Sequence, residues 1–363
     1  MVNKKYWRLK YSFSIFETFY LLLILFFSLY GRFSDYILDF ILKITQVRFW
    51  VIAIYLLLIY LIYYLLVFPF HFYEDFIWEH KFSLSNQGLL SWFKDEFKKG
   101  IIFYILSLIL FEFFYFSLNF SYGWILVSFF WIIITIVLAK ILPTLIIPLF
   151  FKYKKITDQS IYQMIMDLAQ KMRIKILDIF EIDLSKMTLK ANAGLVGLGK
   201  NKRVILADTL KDRYSLDEIK VILAHEFAHQ KFSHLLKILF LEAIFITFNF
   251  YLIFKTVDFF LKKFNLKDIK DLSCLPLIFI YLIILEAIEN PIKNFISRNF
   301  ERNADRLAIK TTGLKDAFIS LMEKLAQQNL SDTSPHPLIK IFFFNHPPIE
   351  ERINLAKSLR DQG

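Results

Sequence analysis

The sequence predicts a mainly α protein: a polytopic helical membrane protein of about six to seven transmembrane helices enclosing a chamber, with a small α+β domain attached. Three observations carry that prediction. Of 363 residues, 56% are hydrophobic, with 43 Phe and 18 Tyr against 9 Gly, and mean hydropathy is +0.48. A water-soluble domain cannot keep such an excess off its surface. Apolar runs near the ~20 residues that a bilayer requires recur along both halves of the chain. Between them, residues 152–234 switch to the mixed periodicity of a soluble domain. Aromatic content of 18% against 21% charged residues excludes disorder. The single cysteine, Cys274, excludes an internal disulfide framework and a multi-Cys metal site. The net charge of +11 resides in residues that flank apolar runs rather than in a stripe. It therefore points to the anionic face of a lipid bilayer, and no nucleic acid partner is expected.

The first apolar run, residues 13–30, follows Lys4, Lys5, Arg8 and Lys10 and lacks a small-residue cleavage site, which reads as an uncleaved anchor. Residues 50–73 form the second run; 101–120 and 124–151 form the third and fourth, joined by the Ser121-Tyr122-Gly123 turn. Residues 34–47 are too short and carry Asp35, Asp39 and Lys43, so they are expected to lie along the interface. Two further spans are expected near 235–254 and 275–288. The chain thus divides into an N-terminal membrane region, 1–151, with a cytoplasmic loop at 74–100, and a second region, 152–363. The basic residues place the amino terminus, the segment 152–234 and the C-terminal tail on the cytoplasmic side. Glu17, Glu112, Lys140, Glu242, Glu286 and Glu289 fall inside spans, where charge is costly, and this favours a polar chamber over simple pairing.

Within 152–234, residues 157–172 show helical amphipathicity, while 175–182, 188–198 and 203–207 read as strands. Ser215 with Glu218 three residues on is a capping-box signature for a helix starting at Leu216. That helix runs into His225-Glu226-Phe227-Ala228-His229, an HExxH pentad. Residues four apart share a helical face, so both imidazoles can hold one metal while Glu226 reaches a metal-bound water without being a ligand. Zinc needs a third protein ligand and an open position. The later segment 297–305 offers Glu301 and Asp305, again four apart; one can ligate while the other accepts a hydrogen bond from a ligating His. The remaining histidines, His71, His80, His234, His336 and His346, are the other candidates.

The pentad and the Ser297-Arg298-x-x-Glu301-x-x-Ala304-Asp305 stretch resemble those of the integral-membrane gluzincin peptidases, specifically the type I CAAX prenyl proteases, which are related to HtpX. Asn192-Ala193 with Gly197, the segment 203–210, and His346-Pro347-Pro348 followed by Arg352 are similar to further family segments. Ala228 stands where the family usually has Gly, and Gly194 where an aromatic is common. The resemblance implies one Zn2+ ion held by His225, His229 and Glu301, Glu226 as general base, and Asp305 in the catalytic set. It further implies His346 as oxyanion donor, and Asn192, Ala193 and Arg352 against the substrate. It implies a membrane-embedded zinc metalloendopeptidase cleaving a peptide or membrane-protein substrate, of the kind that trims prenylated C-terminal peptides. An HtpX-like quality-control protease and a non-catalytic scaffold or transporter are the alternatives. Residues 358–363 carry no ER retrieval signal, so a prokaryotic inner membrane is the expected location.

Overall fold

The computed structural model describes residues 2–197, 202–211 and 213–359. Among these residues, six helices are long and apolar enough to cross a membrane: Asn3–Tyr30, Arg48–Lys81, Leu89–Ser117, Gly123–Leu149, His234–Lys263 and Leu272–Thr312. The protein is an integral, multi-pass membrane protein, and each predicted run falls on one of these helices, with 101–120 and 124–151 overrunning the helix ends at Ser117 and Leu149.

The first helix, α1 (Val2–Tyr30), turns through left-handed Arg32 (φ 57°) into α2 (Phe33–Leu42). Ten residues of helix extend only about 15 Å, too short to cross. Instead α2 docks on the bundle: the Ser34 hydroxyl meets that of Tyr55 and bonds the Ser273 carbonyl at 2.7 Å. The helix α3 (Arg48–His71) runs on through a π-helical turn, Phe72–Trp78. Next, α4 (Leu89–Ser117) begins well inside the segment expected to be a loop. Its charged first turns escape a hydropathy criterion, which registers only the lipid-immersed part of a helix. The predicted turn leads into α5 (Gly123–Ile141), and glycine is required there: a Cβ on Gly123 would sit 2.3 Å from the Ser117 carbonyl oxygen.

Outside the spans, β1 (Tyr153–Lys155), α6 (Gln159–Met172), β2 (Asp178–Ile182), β3 (Ala193–Val196) and β4 (Arg203–Ala207) build a small sheet with a covering helix. Strand order is β1-β2-β4-β3, with β2 and β4 parallel and both outer pairs antiparallel. No strand is expected at β1, and β2 and β3 are shorter than the expected 175–182 and 188–198; Leu198 lies outside the described residues. Asp158 caps α6, accepting from the Ser160 and Ile161 amides.

Then come α7 (Leu216–Lys231), α8 (His234–Lys263) and α9 (Leu275–Thr312), followed by α10 (Lys315–Gln328), α11 (Pro337–Phe343) and α12 (Ile349–Ser358). The span expected near 275–288 and the later segment 297–305 that bears Glu301 lie on one helix of 38 residues, passing through Pro291. One hydrophobic core joins the sheet to α7 and α9 through Ile165, Val204, Phe227 and Ala304. A second, with Tyr55, Phe114, Val127 and Phe250, lies among the spans.

Most of the ionisable residues in the spans have partners. Glu242, Glu286 and Glu289 each lie 3.1 Å from Lys293. Glu17 accepts from Tyr63 and sits 2.9 Å from His71. None of the six lines the cavity described below, to which the spans contribute only Trp7, Lys10, Tyr11, Ser14 and Glu74.

Candidate metal centre and its cavity

The helix α7 is fixed at its start and so aims its last turns. Ser215 and Glu218 form the reciprocal capping box: the Ser215 amide donates to Glu218 at 2.8 Å and the Glu218 amide to Ser215 Oγ at 3.2 Å. Glu218 also accepts from Ser320 at 2.6 Å and Lys324 at 2.8 Å, which binds α7 to α10. Burial alone would raise the pKa of Glu218, but these donors outweigh it and hold the carboxyl below its usual range.

Three turns later, His225 and His229 turn their Nε2 atoms towards each other at 3.0 Å. Glu301, from α9, faces both, with Oε2 3.2 Å from His225 Nε2 and Oε1 3.2 Å from His229 Nε2. His225, His229 and Glu301 form a group whose ligand atoms could hold a metal ion. The separations fit that purpose. Ligands at about 2.0–2.1 Å from a tetrahedral zinc lie about 3.3 Å apart. Two imidazole nitrogens and a carboxylate form the donor set of an open zinc site, and both His225 and Glu301 are buried.

The outer nitrogens have partners too. His225 Nδ1 faces Asp305 Oδ1 at 2.8 Å. Asp305, fully buried, receives Arg352 through two bonds, Nε to Oδ2 at 2.9 Å and Nη2 to Oδ1 at 2.6 Å. Burial weakens the hold of Arg352 on its proton, but the Asp305 carboxylate outweighs that and raises its pKa. His346 Nδ1 lies 2.7 Å from Glu301 Oε2, while its ring remains more than half exposed.

A cavity of about 590 Å³ opens beside the three ligands, lined by His225, Glu226, His346, Arg352, Asn192 and Ala193, among others. Aromatic residues of α1, Trp7 and Tyr11, close another side with Phe343 and Phe344. Asn192 enters the outer strand β3, and its carbonyl accepts from the Ala207 amide at 3.0 Å. All nine site residues expected from the sequence therefore converge on one region. Asp305 and Arg352 stand back from the centre of the site. Asp305 is absent from the cavity lining, and Arg352 commits two nitrogens to Asp305 rather than leaving them free for a substrate.

Two neighbours are not among the residues expected at the site. Arg298, one turn before Glu301, donates to the Lys340 and Phe344 carbonyls at 3.0 and 2.6 Å, holding the strand of chain that delivers His346. Its signal was its place in the Ser297–Asp305 stretch. His234 Nδ1 lies 2.9 Å from His229 Nδ1. The sequence marks it only as one of five remaining histidines.

Comparisons with known proteins identify the family. The family model described as Peptidase family M48 matches residues 155–360, and that described as CAAX prenyl protease N-terminal, five membrane helices, matches residues 2–152. In the latter segment this chain has four long helices and the short α2. YhfN of Bacillus subtilis, an uncharacterised metalloprotease, is 30% identical over 284 residues, covering 76% of this chain and 66% of that protein. CAAX prenyl protease 1 of Saccharomyces cerevisiae is 28% identical over 308 residues, covering 78% and 67%. The matches span about two thirds of the length of these relatives. The crystal structure of Ste24p from S. mikatae superposes with a TM-score of 0.85 at 26% identity, covering 98% of this chain and 87% of that one. The donor set lies within the matched segment 155–360, which covers more than half of the chain: the protein belongs to peptidase family M48, a metalloprotease family, in a multi-pass membrane form.

Proposed function

We propose that this protein is a membrane-embedded zinc metalloendopeptidase that hydrolyses peptide bonds near the C-terminus of prenylated, CAAX-type substrates. The observation that carries the reading is the convergence of His225, His229 and Glu301 beside a cavity that Glu226 lines without joining the ligand group. A purely structural metal site has no use for that free carboxylate. The names of the relatives, CAAX prenyl protease 1 among them, supply the substrate class.

In this reading His225, His229 and Glu301 hold one Zn2+ ion. When bound, the ion supplies Lewis-acid polarisation and brings the pKa of water towards about 7. Glu226 accepts a proton from the attacking water and later delivers it to the departing amine nitrogen. His346, leaning on Glu301 through Nδ1, presents its other ring edge to the carbonyl oxygen as negative charge gathers there. Asp305 and Arg352 act one step back: Arg352 fixes Asp305, and Asp305 fixes the orientation and tautomer of His225. Strand β3 ends the sheet, so the segment at Asn192 and Ala193 is suited to pair with an extended peptide by main-chain hydrogen bonds. The domain division at residues 151/152 and a cytoplasmic-side site in a prokaryotic membrane complete the proposal. Basic residues flanking the spans support that sidedness.

The test compares wild type with Glu226→Gln in zinc content and in cleavage of a prenylated CAAX peptide. The variant should retain zinc and lose cleavage. Undiminished turnover refutes the assignment. An unfolded membrane protein offered alongside distinguishes substrates: preference for it over the prenylated peptide points to quality control instead.

A further inference from the structure

The two histidines expected to hold the metal are backed by different partners, and the second has no assigned role. His225 turns its outer nitrogen to a carboxylate, whereas His229 Nδ1 faces His234 Nδ1 at 2.9 Å. Valence then fixes the protons. A neutral imidazole that ligates through Nε2 carries its hydrogen on Nδ1. His229 Nδ1–H must therefore donate, so the facing nitrogen of His234 holds a lone pair and His234 carries its own hydrogen on Nε2.

His234 is held firmly enough to impose this. It is 2% exposed, and it opens α8 directly after Ser233, whose left-handed backbone (φ 54°) folds the chain back. Its ring stacks on Phe300, with centroids 4.3 Å apart and planes 7° from parallel. Phe300 precedes Glu301 on α9, so one helix supplies both a ligand and the surface that orients His234.

We propose that His234 is a positioning residue for the metal centre, acting as the hydrogen-bond acceptor that fixes the tautomer and orientation of His229. This rests on the reading of His229 as a metal ligand. The two ligands are then unequal. His225 is made more basic by the charge of Asp305, while His229, backed by a neutral ring, is the weaker donor.

The experiment uses the full chain in detergent micelles. His234→Phe keeps the stack on Phe300 but removes the acceptor; His234→Asn restores an acceptor oxygen near the position of Nδ1. Zinc affinity is measured by competition with a chromogenic chelator, and the ligand field by the visible spectrum of the Co2+-loaded protein. His234→Phe should raise the zinc Kd about 10–100-fold and shift the cobalt bands, and His234→Asn should recover most of both. A His234→Phe variant with wild-type Kd and spectrum overturns the proposal, as does an Asn variant no better than Phe. A wild type that takes up no zinc overturns it together with the metal site. A wild type that binds zinc but cleaves no peptide overturns the peptidase reading alone.

Discussion

Replacing Arg352 with Met should destabilise the protein by about 3–5 kcal/mol, the usual cost of stranding one member of a buried ion pair. The magnitude follows from what Asp305 would lose. Its Oδ2 is met by Arg352 Nε at 2.9 Å, while Oδ1 is shared between Arg352 Nη2 at 2.6 Å and His225 Nδ1 at 2.8 Å. The substitution leaves Oδ2 without that donor and a carboxylate charge in a site with no exposure. Adding Asp305→Asn removes the charge yet keeps an amide oxygen able to accept from His225. The double variant should therefore regain at least ~2 kcal/mol, a coupling well beyond the ~0.5 kcal/mol scatter of independent sites. Denaturant unfolding of wild type, both single variants and the double variant completes the cycle. A loss below ~1 kcal/mol for Arg352→Met, or strict additivity, refutes the view that the guanidinium exists chiefly to hold Asp305.

Three further outcomes are expected. Ser215→Ala should lower stability by about 1 kcal/mol, read as a shift in the denaturant midpoint, because it opens the capping box of α7. Glu218, whose carboxyl is held below its usual range, stabilises the protein fully above the unfolded-state pKa, and that contribution is lost as pH falls through the folded-state value. The stability gap between wild type and Glu218→Gln should accordingly narrow on acidification, and a gap that widens refutes the assignment. In the metal-free protein burial opposes a charge on His225, yet Asp305 and Glu301 prevail and push its pKa up to about 10. Zinc must displace that proton, so its apparent affinity should fall about tenfold per unit as pH drops from about 8 to 6, measured by chelator competition. A pH-independent affinity contradicts this.

Features set by a short stretch of chain were legible in the sequence. The spacing of His225 and His229 and the reciprocal pair Ser215 and Glu218 each lie within one or two helical turns, and both appear as expected. Six apolar runs likewise correspond to six long helices. Features set by packing were not legible. Helical spacing put Glu301 and Asp305 on one face but could not divide their roles from the residues alone. That division depends on Arg352, 47 residues further on, arriving to occupy Asp305. His234 gained its partner from the reversal at Ser233, a backbone conformation that no periodicity reveals. The charged start of α4 and the continuity of α9 were missed for a related reason. Hydropathy reports where lipid lies, not where a helix ends.

The unbroken run of α9 has a mechanical consequence. A helix of 38 residues is about 57 Å long, and Glu301 stands about 39 Å from its beginning. A tilt of about 5°, of the kind a helix adopts when bilayer thickness changes, would sweep a point at that distance through about 3 Å. That is as large as the gap between Glu301 and either histidine. The histidines hang from α7, which passes through a single turn into the span α8. The two halves of the metal centre thus behave as the tips of two levers rooted in lipid. The thickness and lateral tension of the membrane become variables of the chemistry, and a detergent that mismatches them would loosen the site without touching a single residue in it.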